Sequence, residues 1–272
     1  SQVARLFHIN QSDRMLLLAC ACAAALAAIF KVPLAGILFA IEVFGLDLTL
    51  SSLLPLFVAS LSGVLTSYIF FGNAALLPIY VGDSFLMHNI PFYLLLGVVG
   101  GFMSAYFTFV YEGVNRFFSK FSSAYLRIVI GGAILGLLVF VMPPLYGEGH
   151  EVINHLKAGH PELSISSNIF GWNLENPWVV ILLLGGLVLF KVVATSVTFG
   201  AGGVGGIFSP MLFMGGVMGN CFARIINQID ILPYKLPLAN FTLIGMTALM
   251  TGVLHAPLTA IFLIAEVTGG YS

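Results

Sequence analysis

Long apolar runs, broken by short polar or glycine-containing stretches, dominate the chain. Phe92 to Tyr111, Ile128 to Met142 with its flanks, and Val179 to Val197 approach or reach the ~20 residues a helix needs to cross ~30 Å of hydrocarbon. Two other runs, Leu34 to Phe44 and Ile207 to Gly219, are bounded by proline, glycine or charge. They read as half-helices or re-entrant segments, which inside a membrane usually serve a binding site. The pattern predicts helices near residues 11–29, 33–44, 52–70, 89–120, 124–142, 178–198, 207–227, 240–252 and 256–268. Between them, Phe71 to Asn89 and Pro143 to Pro177 read as aqueous connections.

Composition strengthens the membrane reading. Hydrophobic residues make up 59% of the chain and charged residues 8%, and the mean hydropathy is +1.05, too apolar for a water-facing surface. The net charge of -1 arises from 10 basic and 11 acidic residues scattered without runs, which leaves no electrostatic footprint for nucleic acid. Cys20, Cys22 and Cys221 lack metal-ligand spacing and read as small buried residues. Glu148, His150, Glu151, His155, His160 and Glu162 cluster in the second connection without the spacing of a helical metal site, and read as a solvated loop. The opening Ser-Gln-Val-Ala-Arg has neither an initiator Met nor the layout of a signal peptide.

An internal repeat organises the chain. Pro33-Leu34-Ala35-Gly36-Ile37-Leu38-Phe39-Ala40-Ile41-Glu42-Val43 overlays Pro257-Leu258-Thr259-Ala260-Ile261-Phe262-Leu263-Ile264-Ala265-Glu266-Val267, with Pro, Leu, Ile, Glu and Val coinciding. Lys31 and His255 each stand two residues before the proline. Such repeats are what transporters built from inverted halves leave in sequence. The second copy follows a long helical run of its own from Asn89, whereas the first has barely thirty residues ahead of it. The front of the first half is therefore expected to lie before Ser1. The division expected is 1–72 as the end of the first repeat, 73–88 as a connecting loop and 89–272 as most of the second, within one transmembrane domain.

The segment with the clearest chemistry is Phe199-Gly200-Ala201-Gly202-Gly203-Val204-Gly205-Gly206-Ile207-Phe208-Ser209-Pro210-Met211. Glycines lay the backbone bare, and the helix that follows offers first-turn N–H groups carrying about +0.5 of macrodipole charge. Backbone amides can replace the hydration of an anion without holding it too tightly to leave. A glycine-rich packing seam between helices remains a rival on composition. A P-loop fails because no Lys-Ser or Lys-Thr follows, and a dinucleotide fingerprint fails because the surroundings are transmembrane helices.

At these residues the chain resembles the CLC family of chloride channels and chloride/proton antiporters, whose second-half signature is a glycine-rich turn followed by G-x-F-x-P, here Gly206-Ile207-Phe208-Ser209-Pro210. Pro33 to Phe39 with Glu42, and Ala256 to Thr259 with Glu266-Val267-Thr268, look like the family's short helices in the two halves. The resemblance implies an all-α polytopic membrane protein with the CLC inverted-repeat fold and short, re-entrant helices. It implies chloride bound by the backbone amides of Gly206, Ile207 and Phe208, with Gly202, Gly203, Gly205, Ser209 and Pro210 shaping the turn. It further implies a homodimer whose face comprises the helices beginning at Pro33, Ser52 and Pro257, no cofactor beyond bound chloride, and a bacterial inner membrane. Three family elements have no counterpart here: the first-half serine turn, the turn with the gating glutamate, and the late helix with the pore tyrosine, for which Tyr271 comes too early. Many family exchangers carry a second glutamate directly after the one matching Glu42, whereas this chain has Val43.

Glu42 and Glu266 are intramembrane carboxylates by pattern, and either a proton path or a structural role accounts for them; their duplication favours structure. Lys191, mid-run before the glycine turn, is expected to pair with a carboxylate or to bias the local potential toward anions. Glu112, Arg116 and Lys120 mark the emergence of a long helix into water. The expected function is chloride transport, as chloride/proton antiport or as a passive channel, with fluoride or nitrate as alternative ions. An intramembrane enzyme would need a catalytic set that the apolar segments lack. A purely structural or assembly role is the remaining alternative.

Overall fold

The computed structural model describes residues 10–72, 87–157, 176–230 and 232–268. Ten α-helices occupy these residues: α1 (Gln11–Phe30), α2 (Pro33–Phe44), α3 (Leu50–Phe71), α4 (Ile90–Ser119), α5 (Ala124–Val141), α6 (His150–Lys157), α7 (Pro177–Gly200), α8 (Phe208–Ile229), α9 (Leu238–Leu254) and α10 (Pro257–Thr268). Among the described residues the regular structure is entirely helical, and five stretches, those of α1, α3, α4, α5 and α7, are long and apolar enough to cross a membrane. The short α2 and α10 span 12 residues each. Of the expected connection 73–88, only its last residues are described, where Met87–Asn89 form a 3₁₀ turn leading into α4. His160, Glu162 and Tyr271 lie outside the described residues.

One expectation is corrected. The connection after Pro143 is not simply an aqueous loop, because His150–Lys157 is a helix that buries Val152, Ile153 and Leu156. That i, i+1, i+4 spacing is the apolar stripe of a short amphipathic helix, hidden in sequence by the polar and charged residues around it. The run from Ile207 forms one helix, Phe208–Ile229, close to the expected 207–227. In its later turns Asn220, Arg224 and Asn227 find partners within the protein. Asn220 Nδ2 donates to the Leu156 carbonyl at 3.2 Å and to Thr242 Oγ1 at 3.1 Å, and Arg224 Nε donates to Asn220 Oδ1 at 2.7 Å.

Contacts group the chain into two compact units, residues 1–80 with 254–272 and residues 81–253. In the first, alanines of α1 allow close packing: Ala19 and Ala23 meet Ile37 and Ala40 of α2 and Leu56 of α3. Gly36 and Gly63 lie so near α1 that a Cβ there would sit 2.6 Å from the Ala23 carbonyl oxygen and 2.4 Å from that of Ala24. Small residues at such crossings let helices associate where lipid supplies no hydrophobic drive. In the second unit α7 is the most enclosed span, and Val180, Leu184, Leu187, Val192 and Val197 are buried along it.

Candidate functional site

The glycine-rich segment divides into two halves with different tasks. The first half ends α7. Gly202 N–H donates to the Phe199 carbonyl at 3.0 Å and Gly203 N–H to the Thr198 carbonyl at 2.9 Å, while Gly202 takes φ +98°. These paired bonds are a Schellman closure, which needs a residue that tolerates the left-handed region. Gly203 is equally constrained, since a Cβ there would meet the Thr198 carbonyl oxygen at 2.7 Å.

The second half is open. A Cβ on Gly206 would meet nothing within 4 Å, and on Gly205 only the tip of Phe199 at 3.9 Å, so here glycine serves access to the backbone. Both residues are exposed. Ile207 follows with φ -83° and ψ -11° as the N-cap of α8, and its side chain supplies no capping acceptor. Its carbonyl accepts from Met211 N–H at 3.1 Å. Phe208, Ser209 and Pro210 form the first turn, where intrahelical partners for N–H groups are lacking by geometry. Pro210 has no N–H to contribute, and the Ser209 hydroxyl oxygen is buried without a partner among the described residues. Gly206, Ile207 and Phe208 are thus contiguous, at the positive end of a 22-residue helix.

The two intramembrane carboxylates have a different environment. Glu42 Oε1 accepts from Leu258 N–H at 2.9 Å, and its Oε2 accepts from Thr259 N–H at 2.8 Å and from the Thr259 hydroxyl at 2.6 Å. Reciprocally, Glu266 Oε1 accepts from Leu34 N–H at 3.1 Å and Oε2 from Ala35 N–H at 2.8 Å. Each glutamate is the tenth residue of its helix and caps the second and third residues of the other. The first residue, proline, has no N–H to satisfy. α2 and α10 therefore lie antiparallel, each carboxylate neutralising the positive end of its partner. The repeat extends to the backbone, because Lys31 and His255 both take left-handed φ values, 60° and 56°. Sequence placed the glutamates on equivalent positions; it did not show that they cap each other's helices, nor that Thr259 joins the site.

Lys191 is buried in α7. Its ammonium donates to the carbonyls of Leu145 at 2.9 Å and Gly147 at 2.7 Å and sits 4.9 Å from the centroid of the Phe213 ring. Its hydrogen bonds thus go to carbonyls and not to the expected carboxylate. Glu112 and Arg116 form an exposed i, i+4 pair at 3.2 Å.

A family model described as voltage gated chloride channel matches residues 1–272. Among solved structures the fold is similar to a CLC-type fluoride/proton antiporter, at 22% identity and a TM-score of 0.72 over 94% of this chain. It is also similar to a slow cyanobacterial Cl-/H+ antiporter, at 22% identity and 0.76 over 99% of this chain, and to a eukaryotic CLC transporter, at 18% and 0.63 over 96%. The chain spans 58%, 60% and 41% of the lengths of those three chains, respectively.

Proposed function

Because the chain belongs to the voltage gated chloride channel family, we propose that it forms part of a chloride transporter, with the anion held by the backbone amides of Gly206, Ile207 and Phe208. The observation that carries this reading is the open half of the turn: Gly205 and Gly206 are bare and exposed immediately before the N-terminal end of α8, where the N-cap Ile207 supplies no side-chain cap. An anion there gains from the macrodipole and from several weak donors, a combination that binds without trapping.

The mode proposed is chloride/proton antiport in a homodimer of a bacterial inner membrane, with bound chloride as its only small ligand. Glu42 and Glu266 are assigned to structure, since both carboxylates are engaged by helix ends; the proton route would run elsewhere. A passive channel is the second reading, favoured by the apolar Val43 where many family exchangers carry a carboxylate. Simultaneous recording of chloride and proton movement from liposomes holding the whole protein tests both. Proton movement coupled to chloride, and retained in Glu42→Gln, supports antiport by the proposed route. Chloride flux alone supports the channel, and fluoride or nitrate flux without chloride flux would replace the ion. The absence of all anion flux removes the proposal.

A further inference from the structure

A cavity of about 470 Å³ adjoins the open half of the turn and is lined by Lys191, Thr195, Thr198, Gly205, Gly206 and Tyr146 among others. Lys191, Thr195 and Thr198 follow at i, i+4 and i+7 and so share one face of α7. Lys191 is 3% exposed and Thr195 7%, so a charge and a hydroxyl are kept in a largely apolar setting. A buried ammonium is costly unless its donors are used.

Two of the three N–H bonds of Lys191 are satisfied by Leu145 and Gly147. These two carbonyls belong to the segment that borders the same cavity. Left unbonded, carbonyls in this wall would carry uncompensated negative dipoles, unfavourable to an anion in the cavity. Bonding to the Lys191 ammonium compensates those dipoles and places a positive charge in the wall. The Thr195 hydroxyl has no hydrogen-bond partner among the described residues, and an O–H in this position can donate to an anion.

We propose that this cavity is a seat for a small monovalent anion, built by Lys191 and Thr195 and opening on the backbone of Gly205 and Gly206. The inference deepens the chloride reading and rests on it for the identity of the ion. Lys191 supplies charge and satisfies the Leu145 and Gly147 carbonyls, Thr195 supplies a donor, and the turn receives the ion. The occupant is a chloride-sized anion, since 470 Å³ admits an ion with part of its water shell while one ammonium balances a single charge.

The test uses the whole protein with Lys191→Met, Lys191→Arg and Thr195→Val. Two readouts are taken: the dependence of liposome flux on chloride concentration, and the rise in melting temperature produced by added chloride or bromide. Loss of a charge-assisted donor is expected to raise the half-saturating chloride concentration about tenfold in Lys191→Met. Thr195→Val, which keeps shape and charge, should raise it about threefold. Lys191→Arg should restore most of the loss, and the maximal rate should change less than half-saturation in each case. If Lys191→Met proves too unstable to purify, Thr195→Val carries the test alone. Wild-type half-saturation in Thr195→Val, or in a folded Lys191→Met, overturns the seat. Should the wild type move no anion at all, the chloride-transport reading fails separately. The halide-dependent melting shift then decides the seat, which stands if the shift is present in wild type and reduced in both variants, and falls if it is absent from wild type or equal in all.

Discussion

Glu42 and Glu266 illustrate how one residue type at one register can be dictated by a neighbour's backbone. A helix beginning with Pro-Leu has no side chain of its own to cap its second and third amides, and Val32 at the N-cap of α2 provides none. The carboxylate from the antiparallel partner takes that role, with the added favour of charge at a helix N-terminus. Glu42→Gln and Glu266→Gln, which keep an acceptor but lose the charge, should each destabilise the protein by about 1 kcal/mol, and the alanine variants by about 2. The Glu42→Ala/Glu266→Ala double variant should cost less than the sum, because both caps act on one helix pair. Thermal unfolding in detergent checks these values. Glu112→Gln, in the exposed pair with Arg116, should stay within about 0.5 kcal/mol. Equal effects at Glu112 and Glu42 would refute the capping role.

Among the elements, close backbone crossings set the packing of α8 on α9. A Cβ at Gly219 would lie 1.9 Å from the Phe241 carbonyl oxygen, and one at Gly245 would lie 2.2 Å from that of Gly215. Gly219→Ala must therefore push the helices apart, at an expected cost of about 2–3 kcal/mol. Gly97→Ala in α4, where a Cβ meets nothing within 4 Å, should be neutral or stabilising by up to about 1 kcal/mol through helix propensity. Melting temperatures of the two variants, compared side by side, test the contrast. The helices themselves were legible in sequence because apolar runs, prolines and glycines mark them directly, and the boundaries of α2 came out to the residue. α6 escaped because its stripe of Val152, Ile153 and Leu156 is only one turn long among charged neighbours. In the glycine segment, sequence showed a bare turn before a helix. It could not separate Gly202 and Gly203, required by the Schellman closure, from Gly205 and Gly206, which leave the backbone open; that division depends on φ and on distances. Nor could it name the partners of Lys191, which are carbonyls and carry no signature in side-chain identity.

At the scale of the molecule, residues more than two hundred positions apart close one helix pair, as the bonds from Leu258 to Glu42 and from Leu34 to Glu266 require. A chain joined in this way can reuse one sequence pattern twice and still give the two copies different neighbours. Val43 shows the consequence. Its predecessor Glu42 is occupied by the N-terminal amides of α10, whereas Val43 itself is 43% exposed, so the position adjoining the cap is open to carry a titratable group without disturbing it. In the antiport reading, coupling depends on a carboxylate that faces the proton route, whereas Glu42 is committed to the cap by three accepted hydrogen bonds. Val43→Glu is therefore expected to increase proton movement per chloride in liposomes containing the whole protein. The half-saturating chloride concentration should be unchanged, because no atom of the glycine turn is altered. Glu42→Gln in the same background should leave that gain intact while lowering the melting temperature. Proton movement that rises in neither variant would place Val43 off the proton route, and a gain that disappears with Glu42→Gln would return the capping carboxylate to that route.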